Sequence, residues 1–268
     1  MSVSQQWIRS NVDGLPCDLE VSLSAYKGVD LSMSFNDASM QAARMIGERR
    51  RPIFIGMSGG MDSEYVIKVF IECGISFTPI IVETTGNRLE LSYAYSMLER
   101  NSLRARVISM TEADVLSVYH DKFIPISAYG HNAVPSYMAG MEAEQSGGIF
   151  VMAEHLIDEQ PDGSIRVGAN EWDFYNDRLI NPGNTHYFFN YTPNISLSMV
   201  NLLDDSDDAQ SYKHRIYDVP YRPKMKYEYS SAFNDVLRSI KRRIQPHNPS
   251  YSFGSPGEYR RKIEKLYI

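Results

Sequence analysis

The segment Ser58-Gly59-Gly60-Met61-Asp62-Ser63 joins an apolar run to a run with helical periodicity, and this junction narrows the folds open to the chain. Before it, Pro52-Ile53-Phe54-Ile55-Gly56 has the β-branched and aromatic content of a buried parallel strand. After it, Val66, Ile67, Phe70 and Ile71 recur at helical spacing between Glu64 and Cys73. A strand that turns through glycines into a helix lets backbone approach a ligand closely. The first N–H groups of the helix then point at that ligand. The junction therefore reads as an anion site, with phosphate the first candidate.

The flanking sequence supplies the scaffold. Alternating apolar and polar residues on either side of Lys27-Gly28 predict a β-hairpin, Leu19 to Tyr26 with Val29 to Phe35. Asn36 or Asp37 is then expected to cap a helix ending at Arg49-Arg50-Arg51. Strands are expected at Phe77 to Glu83, Ala105 to Met110 and Ile149 to Ala153. Helices are expected at Leu89 to Arg100, from Thr111 to about Phe123, and at Val134 to Gln145. Thr111-Glu112-Ala113-Asp114 has the form of a capping box.

This alternation over about 52–155 predicts an α/β fold with a doubly wound, mostly parallel sheet. Ligands in such sheets collect at the carboxyl ends of the strands. The glycine turn, Glu83 to Arg88 and Glu154 to Asp158 all fall at that edge. Beyond 160 the alternation fades, with helices expected at Asn194 to Leu203, at Glu228 to Ile244 and after Ser255-Pro256-Gly257-Glu258. The resulting division is an N-terminal hairpin and helix (1–50), an α/β domain carrying the glycine turn (51–200) and a mainly helical C-terminal extension (201–268).

Three readings compete for the junction. A Walker A loop needs a Gly-Lys-Ser/Thr ending, and Met61-Asp62-Ser63 stands there instead. Gly56-Met57-Ser58-Gly59-Gly60 is a literal G-x-S-x-G, the nucleophile elbow of α/β-hydrolases, with Asp158 and then His186 or His214 following in order. Only about 50 residues precede it, without a His-Gly-Gly-Gly motif, which argues against that fold. In the third reading, Ser58-Gly59-Gly60-Met61-Asp62-Ser63 resembles the S-G-G-x-D-S signature of the PP-loop (N-type) ATP pyrophosphatases. That superfamily includes the NAD, GMP and asparagine synthetases. The likeness covers roughly residues 50–160.

The resemblance implies ATP as cofactor and cleavage between its α- and β-phosphates. AMP passes to a substrate oxygen and pyrophosphate leaves. It implies that backbone from Gly59 through Met61 to Ser63, with the Ser58 and Ser63 hydroxyls, holds the phosphates. Asp62 would serve Mg²⁺, with Glu154 as a second carboxylate. Adenine would lie near Val82, Glu83 and Thr84, and Arg88 would meet a phosphate or a substrate carboxylate. The distal cation would come from Tyr221-Arg222-Pro223-Lys224-Met225-Lys226, chiefly Arg222 and Lys224.

Composition excludes some classes. Cys17 and Cys73 are the only cysteines, too few for a four-cysteine zinc site or an iron–sulfur cluster. The formal charge of −6 argues against general attraction to nucleic acid, leaving local patches such as Arg238-Lys241-Arg242-Arg243. Asp204 to Asp208 lacks the glycine and distal glutamate of a calcium loop. Met1 to Asp13 has no apolar leader and nothing approaches a membrane span, so a cytoplasmic protein is expected. The expectation is an ATP-dependent, AMP-forming, asparagine synthetase-like ligase. Its acceptor would be a small-molecule or nucleic-acid-linked acid, the ammonia or amine donor would be separate, and a homodimer is left open. The alternatives are sulfur transfer and a non-catalytic adenine nucleotide-binding protein.

Overall fold

The computed structural model describes residues 8–10, 19–21, 30, 32–123, 130–153, 157–159, 165–169, 185–203, 208–223, 227–243, 251–255, 257–258 and 260–261. Near the N-terminus, β1 (Ile8–Ser10) pairs antiparallel with β2 (Leu19–Val21). The expected hairpin partner at 29–35 is not a strand where it is described. Asp30 accepts from the Ser32 N–H at 2.9 Å, closing a local turn. Ser34 then accepts from the Asp37 N–H and caps α1 (Phe35–Gly47), in place of the expected Asn36 or Asp37. Phe35 is drawn into the helix because its ring stacks on Tyr65, with centroids 5.1 Å apart.

Five strands form the central sheet: β3 (Ile53–Gly56), β4 (Thr78–Glu83), β5 (Arg106–Ser109), β6 (Ile149–Met152) and β9 (Thr185–Tyr187). Their order is β5-β4-β3-β6-β9, and every pairing is parallel. The fold is therefore α/β and doubly wound, as expected. The chain winds outward from β3 to β5, then returns to β6 on the other side of β3. That reversal sets the switch point between β3 and β6, where such sheets bind ligands.

Strand periodicity sorts the core into two layers. Phe54, Ile80, Val82, Phe150 and Met152 face one layer with α4 (Glu112–Val118), α5 (Val134–Gln145) and α8 (Ser231–Arg243). Ile53, Ile55, Ile81, Ile149 and Val151 face the other with α1, α2 (Met61–Glu72) and α3 (Arg88–Arg100). The second layer also receives α6 (Pro193–Asn201) and α7 (Ala209–Tyr217). A separate antiparallel sheet, unexpected from sequence, has the order β10-β8-β7, with β7 (Ile157–Glu159), β8 (Ile165–Ala169) and β10 (Tyr251–Gly254). Among the described residues, no helix is long and apolar enough to cross a membrane.

Candidate functional site

The loop from Met57 to Gly60 leaves β3 at the switch point and enters α2. Gly59 has φ of +93°, a region open chiefly to glycine. A Cβ there would lie 2.2 Å from the Glu90 carbonyl oxygen on α3, so glycine is also required by close packing. Gly60 occupies the N-cap of α2 and supplies no side-chain cap. The first-turn N–H groups of α2 are thus left to the loop and whatever it holds. Ser58 Oγ accepts from the Gly60 N–H at 3.2 Å, and Ser63 Oγ donates to the Gly60 carbonyl at 3.0 Å. The two hydroxyl oxygens stand 3.5 Å apart at the mouth. Met61 is buried in the core, so only its backbone can serve a ligand.

A cavity of about 280 Å³ opens from this loop. Gly56, Ser58, Asp62 and Ser63 form one end; Ile80, Val82 and Phe150 form the floor. Asn132, in the turn just before α5, and Ser136, in its first turn, bring polar groups, and Tyr227 completes the lining. Its size lies just below the range for small-molecule pockets, about 300–1,000 Å³.

The expected adenine-side residues meet mixed fates. Val82 lines the cavity. Glu83 does not: its carboxylate accepts from Tyr95 Oη and from Ser109 Oγ. Thr84 is buried and its N–H donates to Asn87 Oδ1 at 2.8 Å, while Asn87 Nδ2 donates to the Val82 carbonyl. The Glu83 carbonyl accepts from the Met110 N–H. The backbone expected to meet adenine is thus already engaged, and Asn87, which sequence reasoning missed, is the polar side chain presented there. Arg88 is exposed at the start of α3 and does not line the cavity.

The C-terminal chain builds the back of the site. Lys213, only 3% exposed, donates to Asp62 Oδ2 at 2.7 Å. Tyr217, one turn on, donates to Asp62 Oδ1 at 2.8 Å. Burial, then the Asp62 charge, holds the Tyr217 phenol well above its ordinary range, so it stays a donor. Lys68 of α2 ties the end of α7 down through Asp218, which it meets at 3.0 Å. Asp62 carries a cation on one oxygen and a phenol on the other, and as it stands does not fit a Mg²⁺ ligand. Among the described residues no group of three acidic, histidine or cysteine side chains could hold a metal. Glu154 and Lys224 lie outside the described residues.

Arg222 reaches the loop, though from behind. Its guanidinium donates to the Gly59 carbonyl, pairs with Glu64 of α2 and lies 4.8 Å from the centre of the Tyr93 ring. With Glu64 also held by Arg100 at 2.8 Å, Arg222 acts as a buried strut of the loop. The expectation of a phosphate clamp is corrected to that extent: its hydrogen bond to the loop goes to a carbonyl, the side facing away from an anion. Glu228 donates its N–H to the Gly86 carbonyl, and Ser230 bonds to Glu112. Residues 209–223 and 227–230 thereby rim the sheet's carboxyl edge.

Glu90 is the remaining group of chemical interest, and no motif marked it. Its Oε1 lies 3.5 Å from where a Gly60 Cβ would sit. Burial, and next the Asp62 charge, push its carboxyl up to about 7, with Arg222 opposing. An ionised Glu90 opposes a bound anion, whereas a protonated one does not. Affinity for pyrophosphate is therefore expected to fall as pH rises from 6 to 8. In Glu90→Gln that fall should be reduced to the part due to the ligand's own titration, as read by calorimetry.

No protein-family model matches the chain, and no curated protein matches it. Among solved structures it is similar to the NH3-dependent NAD synthetase of Campylobacter jejuni, with a TM-score of 0.37 and 12% identity over 46% of this chain. The match spans 58% of that enzyme's length. It is also similar to the NMN synthetase of Francisella tularensis, with a TM-score of 0.38 and 14% identity, covering 81% of this chain and all of that one. A predicted subunit of tRNA methyltransferase from Methanocaldococcus jannaschii gives 0.38 and 15%, over 76% of this chain and 97% of that one. At TM-scores below 0.5 these likenesses assign neither an activity nor a residue's role. The reading of the site rests on its own residues.

Proposed function

We propose that the chain is an ATP-dependent, AMP-forming enzyme of the PP-loop pyrophosphatase kind. The observation that carries this reading is the complete Ser58-Gly59-Gly60-Met61-Asp62-Ser63 loop, set at the switch point and opening on the cavity. Val82, Asn87 and Phe150 would receive the base, and the loop would receive the phosphates. An acceptor oxygen, a carboxylate or carbonyl, attacks the α-phosphorus. The α–β bridging bond breaks and pyrophosphate leaves. First-turn N–H groups of α2 and the Ser58 and Ser63 hydroxyls stabilise the charge gathering on the leaving group. Lys213, paired with Asp62, offsets that carboxylate's charge beside the loop, so that it opposes the phosphates less. A nitrogen nucleophile then displaces AMP from the adenylated acceptor, giving an amide or amidine.

Sulfur transfer lacks support from Cys73. That thiol sits at the far end of α2 from the loop, about 18 Å along the helix axis. It is half-buried, and burial pushes its thiol up, away from a reactive thiolate. Incubation with ATP labelled at the α-phosphate, ammonia and a pool of carboxylic acids tests the proposal. Label released as AMP in an acid-dependent manner is expected; label released as ADP would overturn it.

A further inference from the structure

Charge is distributed unevenly along this chain. Residues 231–268 contain eight Lys and Arg against three Asp and Glu, while the rest contains 19 against 30. Helix α8 displays part of that excess in an ordered way. Phe233 and Leu237 are buried against the sheet. Asp235, Arg238, Ser239, Arg242 and Arg243 recur at i, i+3, i+4, i+7 and i+8, one stripe of the helix. They line a surface hollow of about 260 Å³.

The three arginines are exposed. Arg238 pairs with Asp235 at 2.8 Å; among the described residues, no acid within ion-pair distance answers Arg242 or Arg243. Like charges at i and i+4, here Arg238 and Arg242, work against the helix that carries them. A cluster of exposed planar cations carried on one helical stripe is suited to an external polyanion. The hollow is too small to seat a folded acidic partner, and its row of guanidinium groups matches a chain of single negative charges.

We propose that the arginine stripe of α8 binds the phosphate backbone of a single-stranded nucleic acid. The helix begins just after Tyr227, a lining residue of the cavity, and its 13 residues extend about 20 Å from there. A strand held on the stripe thus lies within a few nucleotides of the cavity. Binding is expected to be independent of base sequence and strongly dependent on salt.

The test is fluorescence anisotropy with labelled 20-nucleotide RNA and DNA homopolymers over a salt series, using the full chain. Replacing Arg238, Arg242 and Arg243 together with Gln should weaken binding at least tenfold at low salt. The log–log salt slope should fall by about 2 for three lost phosphate contacts. Asp235→Asn, which frees Arg238 from its internal partner, should tighten binding. Exposed Arg104→Gln should leave it unchanged. Thermal melts confirm that the variants are folded.

Triple-variant binding equal to wild type would overturn the proposal, as would a slope that does not move. Loss of binding to anionic vesicles, with oligonucleotide binding unaffected, would reassign the stripe to a membrane surface and also overturn it. RNA and DNA arms show which strand is preferred. Release of AMP from labelled ATP with small acids is read separately, so failure here leaves the ATP reading standing.

Discussion

Arg222→Ala is expected to destabilise the protein by about 3–5 kcal/mol, read as a lowered urea midpoint with an unchanged slope. Glu64 is 6% exposed and Arg222 is 5% exposed, so removing the cation leaves a buried carboxylate with only the half-exposed Arg100 as a partner. The Gly59 carbonyl and the Tyr93 ring lose their cation at the same time. The double replacement Glu64→Leu with Arg222→Met should recover most of the loss, because replacing a buried ion pair with apolar groups is often close to neutral. Nucleotide affinity should stay low in that double variant, since the Gly59 carbonyl still lacks its anchor. A double variant as unstable as Arg222→Ala would show that the uncompensated Glu64 charge is not the source of the loss.

Gly59→Ala is expected to cost about 3 kcal/mol or more, from the left-handed backbone together with the overlap on α3. The obstacle is the Glu90 carbonyl, main chain within a helix, which cannot turn aside as a flexible side chain would. The loop must shift as a unit, and ATP binding should be lost even at temperatures where the chain stays folded. Gly60→Ala is the informative contrast. Its φ is −73°, and a Cβ would meet only Ser58 Oγ at 3.3 Å and Glu90 Oε1 at 3.5 Å. That variant should fold, with calorimetry showing a weaker loss of ATP affinity than for Gly59→Ala.

The parts of the fold written in local chemistry were legible. Helix α5 runs from Val134 to Gln145, as expected from the Gly147-Gly148 pair that follows it. Thr111 and Asp114 form a capping box by reciprocal hydrogen bonds, and Ser255 and Glu258 bond to each other in the same pattern. Strand β9 escaped notice because three residues, Thr185, His186 and Tyr187, are too few to show a period, and only their pairing with β6 defines them.

The loop itself was visible because its composition is tied to a turn that glycine alone accommodates. Its supports were not, since they come from residues 151 to 163 positions away in sequence. Lys213 did leave a trace. It shares a helical face with Ala209, Tyr212 and Tyr217, all buried, and a lone lysine on such a face needs an acid in the core. Arg222 was singled out as a cation for the loop, but sequence could not say whether it would meet an anion or a carbonyl.

The central claim is that the loop from Ser58 to Ser63 holds the phosphates of ATP. A crystal of the full chain soaked with the non-hydrolysable analogue α,β-methylene-ATP tests it most directly. The account predicts β- and γ-phosphate density against the first-turn N–H groups of α2 and the Ser58 and Ser63 hydroxyls. The base should lie over Val82 and Phe150, within reach of Asn87. Phosphate density elsewhere on the protein, with the loop and its cavity empty at millimolar analogue, would contradict it.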